Sequence, residues 1–374
     1  MLYTDFGKTG IKISRLGFGA MRLPIADAVE GKIPSLEEAA ALLIRGFEQG
    51  INYVDTAYGY CGGNSERAVG LALTTADWRK RVTLSTKLPL WNVNSRDDFF
   101  RLLEEQLAKL QTDRIDFYHF HAVCEDHFKN RILKFKLIDE AAKALDQKMI
   151  GHLSFSFHDK VEVMKEVIDT GAFSSVLCQY NLLDRSLEEG IAYAHEKGLG
   201  VVAMGPVGGG RLAYDEGIFR NLGGRHSVPE LALRFVLANP AISCALSGMG
   251  NAQMVDENVK AGSDPSPLAP DELAAIEKLL THCAELKKVY CTGCNYCQPC
   301  PAGVRIPDCM SALIYRKVYG LEQASAGAYK MIGDLWHPGK PASACTHCGV
   351  CETKCPQQLK IRDCLDEVVR LYGK

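Results

Sequence analysis

No stretch of this sequence approaches the roughly 18 uninterrupted apolar residues that a membrane-spanning helix needs, so no span is expected. Excess charge of one sign is missing too. Lysine and arginine number 43 against 45 aspartate and glutamate, a formal net charge of -2. That leaves no basic footprint for nucleic acid and no polybasic patch for an anionic bilayer. Low-complexity tracts and long like-charge blocks are absent, and 47% hydrophobic with 24% charged residues is ordinary globular composition. The N-terminus, MLYTDFGKTGIKISRL, alternates polar and apolar residues where an export signal would need a basic start and an apolar run, so a cytoplasmic protein is expected. No G-x-G-x-x-G follows a strand candidate, which argues against a Rossmann nucleotide site.

Cysteine is plentiful, with 15 in 374 residues. The count is odd and the chain long, so metal ligation explains them better than a disulfide framework. Two runs stand out: Cys291-x2-Cys294-x2-Cys297-x2-Cys300-Pro301 and Cys345-x2-Cys348-x2-Cys351-x3-Cys355-Pro356. The second matches the bacterial ferredoxin run, in which three closely spaced thiolates hold one cube and the cysteine before proline ligates the other. Two [4Fe-4S] clusters are therefore expected, one on Cys291, Cys294, Cys297 and Cys355, the other on Cys345, Cys348, Cys351 and Cys300. Structural zinc would use paired knuckles around one tetrahedral ion, and a third cysteine per run followed by Cys-Pro argues against it. The first run has x2 before its last cysteine where x3 is usual, so Cys309 stands as a competitor to Cys300. Cys61, Cys124, Cys178 and Cys244 are scattered singly and read as small buried residues.

Between residues 14 and 262, short runs rich in β-branched residues alternate with longer segments of helical period. Eight strand candidates emerge: RLGFGAM, INYVD, VTLSTK, IDFYHFH, IGHLSFS, SVLCQY, GVVAMG and ISCALSG. Eight β-α pairs in about 250 residues is the arithmetic of an α/β fold of (β/α)8 TIM-barrel type. Residues 2 to 13 read as a hairpin plugging the barrel's N-terminal end. The expected division is a barrel over 1–283 and a small, mainly α-helical ferredoxin-like domain over 284–374.

Catalytic groups in such barrels sit where strands end. Asp55 and Tyr60 follow the second strand, Lys87 the third and His121 the fourth. A cation beside a phenol lowers its pKa, Asp55 can hold the lysine, and His121 can hydrogen-bond a carbonyl oxygen, so Tyr60 reads as a proton donor. His119, two residues earlier, reads as facing the opposite side of its strand, and Tyr58 as core.

These residues, with NSERAVG and the late run GNAQMVDENVKA, resemble the aldo-keto reductase family over roughly residues 1 to 262. The resemblance implies an NAD(P)H-dependent oxidoreductase in which Tyr60 is the general acid, Lys87 and Asp55 tune it, and His121 orients a carbonyl or alcohol substrate. It also implies NAD(H) or NADP(H) held by Ser156, Gln179, Met204, by Gly205 and Val207 of the glycine-rich loop after the seventh strand, and by Gly248 and Asn258. Met204 stands where an aromatic residue usually stacks on the nicotinamide, and Phe157 where an Asn usually sits. Gly248 and Met254 occupy the positions where NADPH-dependent members place basic residues. The 44 residues between the cysteine runs resemble α-helical ferredoxin modules that dock onto flavin enzymes, which implies a flavoprotein or another redox partner. Two further readings stay open: a nicotinamide-binding sensor with little turnover, like the channel-subunit relatives of the family, and clusters that act only as structural staples.

Overall fold

A computed structural model describes residues 1–25, 36–213, 216–219, 222, 226–264, 266–287, 291, 297–334, 337–355 and 358–373. Eight parallel strands close into a barrel: β3 (Leu16–Gly19), β4 (Tyr53–Asp55), β5 (Thr83–Leu88), β6 (Ile115–Val123), β7 (Ile150–Phe157), β8 (Ser175–Gln179), β9 (Gly200–Met204) and β10 (Cys244–Gly248). All eight expected strands are present. All but β10, which is Cys-Ala-Leu-Ser-Gly, carry the β-branched or aromatic residues that suit a buried parallel strand, and long helices such as Asp98–Leu110 and Val228–Ala238 connect them.

β1 (Tyr3–Asp5) and β2 (Lys12–Ser14) pair antiparallel, as the N-terminal hairpin requires. Beyond β1, Phe6 packs edge-on to Tyr53 at 5.7 Å and Phe117 at 4.8 Å between ring centres. A Cβ on Gly200 would stand 2.2 Å from the Phe6 ring, so only glycine lets β9 start there. The hairpin thus fills the end of the barrel away from the strand C-termini, leaving chemistry to the other end.

The chain divides into two compact units, residues 1–209 with 229–268, and residues 210–228 with 269–374. The expected boundary at 283/284 falls inside the helix Pro270–Lys287, and compactness puts the division earlier, near 268/269. Glu272 of that helix lies 3.3 Å from His226, inside the second unit. This unit is helical, with Ile306–Lys317, Glu322–Lys330 and Ile361–Tyr372 burying Met310, Leu313, Leu365 and Val368. Among the described residues no helix is long and apolar enough to cross a membrane.

Candidate functional site

β4 ends on Asp55, β5 carries Lys87 near its end and β6 carries His121, so the barrel closure brings three strand ends to one point. A turn after β4 returns Tyr60 to the same place. The Lys87 ammonium donates to Asp55 Oδ1 at 2.5 Å, to the Thr56 carbonyl at 2.8 Å and to Tyr60 Oη at 3.3 Å. Ser85 Oγ donates to the other oxygen of Asp55 at 2.8 Å. Asp55 and Lys87 are both 1% exposed, so the pair attracts in a medium that screens it little.

Burial and charge compete at each group. Burial is the largest single influence on Lys87 and lowers its pKa, but Asp55 and Tyr60 together carry it above the ordinary value. The Tyr60 phenol is raised, because burial outweighs the lowering by Lys87. The sequence-based expectation of a depressed phenol is thus corrected: the cation is present, and desolvation exceeds it. His121 is pushed well below its usual value by burial and by Lys87, so its ring is neutral. It stacks edge-on to Tyr60 at 6.0 Å, touches Trp91 at 4.8 Å, and its Nδ1 is buried without a protein partner.

His119 corrects a second expectation. Residues two apart on a strand share a face, so His119 cannot oppose His121. Its Cα is paired with that of Lys87, it is fully buried, and its pKa is lowered to about 4 by burial, with Asp55 and Lys87 as its charged neighbours. Tyr58 lies apart, donating to Glu105 at 3.1 Å with Lys109 over its ring.

The residues expected to hold the cofactor fall into two groups. Ser156 at the end of β7 accepts the Ala122 N–H at 2.7 Å. Gln179 ends β8 with its Oε1 3.0 Å from where a Cβ on Gly205 would stand, and Gly205 has φ +62, so the amide occupies a cradle only glycine leaves open. Met204 ends β9, and Val207 is half-buried in the turn that follows. Asn181, not singled out from sequence, donates to the Gly205 carbonyl at 3.0 Å. In the second group Asn258 donates to Ser247 Oγ at 3.0 Å, and Gly248 faces Arg22. Arg22 was also missed; its guanidinium donates to the Gly209 carbonyl at 3.2 Å, which brings a cation to the glycine-rich loop. A basic residue just past the first barrel strand was the available signal.

In the helical unit, Cys300, Cys345, Cys348 and Cys351 line one cavity together with Cys297, Thr346, Gly349 and Arg362. Cys300 comes from the first run and the other three from the second. Cys309 does not line that cavity; it is fully buried in the helical core, its thiol pushed up to about 12 by burial. Cys291 and Cys355 are half-buried and Cys297 is buried, while Cys294 lies outside the described residues. Of the scattered cysteines, Cys178 and Cys244 are buried as expected, whereas Cys61 and Cys124 are only half-buried.

Comparison with known proteins gives a family match for each part of the chain. Residues 15–221 match the model described as aldo/keto reductase family, and residues 290–361 that described as 4Fe-4S dicluster domain. The chain is similar to the uncharacterized oxidoreductase YqkF of Bacillus subtilis, 26% identical over 306 residues covering 72% of this chain and 94% of the relative. It is also similar to L-galactose dehydrogenase of Arabidopsis thaliana, 27% identical over 305 residues, 73% of this chain and 92% of that one. Among solved structures, the holo form of aldo-keto reductase AKR11C1 from Bacillus halodurans aligns with a TM-score of 0.63 at 27% identity, covering 74% of this chain and 96% of its own. The chain therefore belongs to the aldo/keto reductase family, as an oxidoreductase whose barrel is followed by a 4Fe-4S dicluster domain.

Proposed function

We propose that the protein reduces a small carbonyl compound, or oxidises the matching alcohol, with NAD(H) or NADP(H) as hydride carrier and Tyr60 as proton donor. We further propose that residues 284–374 hold two [4Fe-4S] clusters that exchange electrons with a flavoprotein or another redox partner. The observation that carries the catalytic reading is the Lys87 ammonium shared between Asp55 and Tyr60.

When bound, the nicotinamide supplies the hydride that reaches the carbonyl carbon. The buried Nδ1 of His121, without a protein partner, and the Gln179 amide seated against Gly205 at the end of β8 are polar groups that fit such a ligand. Tyr60 Oη, kept protonated by its raised pKa, gives its proton to the carbonyl oxygen as negative charge develops there. Lys87 then stands 3.3 Å from the phenolate and balances it, while Asp55 and Ser85 fix the lysine in place. His121, neutral, offers a ring N–H to the same oxygen without competing as an acid. Arg22 adds a positive charge for the phosphates of the dinucleotide. The cavity lined by Cys297, Cys300, Cys345, Cys348 and Cys351 brings the pre-proline cysteine of the first run to the three thiols of the second, which supports the cross-ligated set for one cluster, with Cys291, Cys294, Cys297 and Cys355 assigned to the other.

Tyr60→Phe tests the catalytic reading, since it removes one oxygen and little binding surface. Carbonyl reduction should fall by roughly 10²-fold or more while the nicotinamide dissociation constant stays within about twofold. Retained turnover would move the acid role to His121.

A further inference from the structure

We infer that Arg362 is a potential-setting residue, which raises the reduction potential of the cluster on Cys300, Cys345, Cys348 and Cys351 relative to the same site without that charge. The inference rests on the two-cluster reading above. Arg362 stands in the first turn of the helix Ile361–Tyr372 and lines the cavity that those four thiols share. Its guanidinium carbon lies 3.8 Å from where a Cβ on Gly349 would stand, in the loop between Cys348 and Cys351. That is ordinary van der Waals packing, and the positive φ of +76 at position 349 is what favours glycine there.

Arg362 is held there by Glu352. Its Nε and one terminal nitrogen donate to Glu352 Oε2 at 3.0 and 2.7 Å, and its backbone N–H donates to Oε1 at 2.9 Å. Such a clasp fixes the direction of the pair. Glu352 is not among the residues that line the cavity, whereas Arg362 is. The positive end of the pair therefore lines the cluster site, while Glu352, next in the chain to Cys351, brings the opposite charge to that thiol, so the two side chains act on the site with opposite sign. A thiolate-ligated cube gains one unit of negative charge on reduction, so a cation at its edge favours the reduced form, and net charge is a recognised determinant of these potentials.

A half-exposed Arg–Glu pair has a plainer reading as a helix-to-loop staple contributing little. Redox titration separates the two, because a staple would leave the potentials where they are. In full-length, anaerobically purified protein, Arg362→Met should retain about eight irons per chain and shift one of two cluster potentials downward, the other staying in place. Arg362→Lys should keep the potential near wild type, and Glu352→Gln, which frees the cation of its counter-charge, should shift the same cluster upward. The shifts should shrink as ionic strength rises. Unchanged potentials with a full complement of iron, or shifts of the same sign in Arg362→Met and Glu352→Gln, would overturn the inference. If Arg362→Met loses its iron, the Glu352→Gln titration alone decides. Wild-type protein that holds zinc in place of iron would overturn the two-cluster reading itself.

Discussion

At Lys87, Tyr60 and His121 the outcome of burial differs because the neighbours differ. Lys87 has an anion at 2.5 Å to offset desolvation, Tyr60 has a cation that offsets only part of it, and His121 has another cation nearby that adds to it. All three therefore keep one protonation state through neutrality: lysine charged, phenol protonated, imidazole neutral. Carbonyl reduction, followed as kcat/KM, should consequently stay flat between about pH 6 and pH 9 and fall on the alkaline side as the raised phenol loses its proton. An acidic limb with its midpoint near the ordinary imidazole value of about 6.5 would mean that His121 titrates in the free enzyme, against its burial. The residue types and strand ends of this set were legible in the sequence. The sign of the Tyr60 shift was not, since it depends on how much water the closed barrel excludes, which no spacing encodes.

At the scale of elements, legibility followed local pattern. The β-branched and aromatic residues of β5, β7 and β9 announce buried parallel strands, and GKTG announces the hairpin turn that puts Phe6 beneath Tyr53 and Phe117. His119 and His121 could be set on one side of β6 from the two-residue period alone. Arg22 and Asn181 were harder, because each takes its meaning from a loop near it in space, at Gly209 and Gly205, and distant in sequence. The cysteine runs behave in the same way: the ferredoxin spacing raises the expectation that the pre-proline cysteines are exchanged, and the fold lines one cavity with Cys297 and Cys300 of the first run and Cys345, Cys348 and Cys351 of the second. Cys300→Ser should accordingly damage the cluster of the second run more than that of the first, read as loss of one of two reduced-state EPR signals. Loss confined to the cluster of Cys291 and Cys297 would show that each run ligates its own cube.

Over the whole molecule, two compact units share one chain, and the second takes in residues 210–228 from between β9 and the helix Val228–Ala238. Nothing in the local sequence marks that exchange. The segment opens as a glycine-rich loop, and its allegiance comes from contacts with residues a hundred positions later: the Ile218 N–H donates to the Tyr319 carbonyl at 3.0 Å, and Phe219 packs on the Tyr319 ring. On the proposed function, the two units would also handle electrons differently. A nicotinamide gives up its electrons as a hydride pair, whereas each [4Fe-4S] cluster accepts one, so the pair must be split before a cluster can be reduced. Tyr60, Lys87 and His121 are proton-handling groups and offer no one-electron state at moderate potential, so these three side chains would not split it. NADH alone should therefore leave the clusters oxidised on the timescale of carbonyl turnover, and a flavin or a redox partner should be required to bleach them. Anaerobic stopped-flow absorbance with added flavin excluded measures this directly. Rapid bleaching under those conditions would mean that a one-electron carrier is already bound to the protein, and the clusters would then belong to the same catalytic cycle as Tyr60.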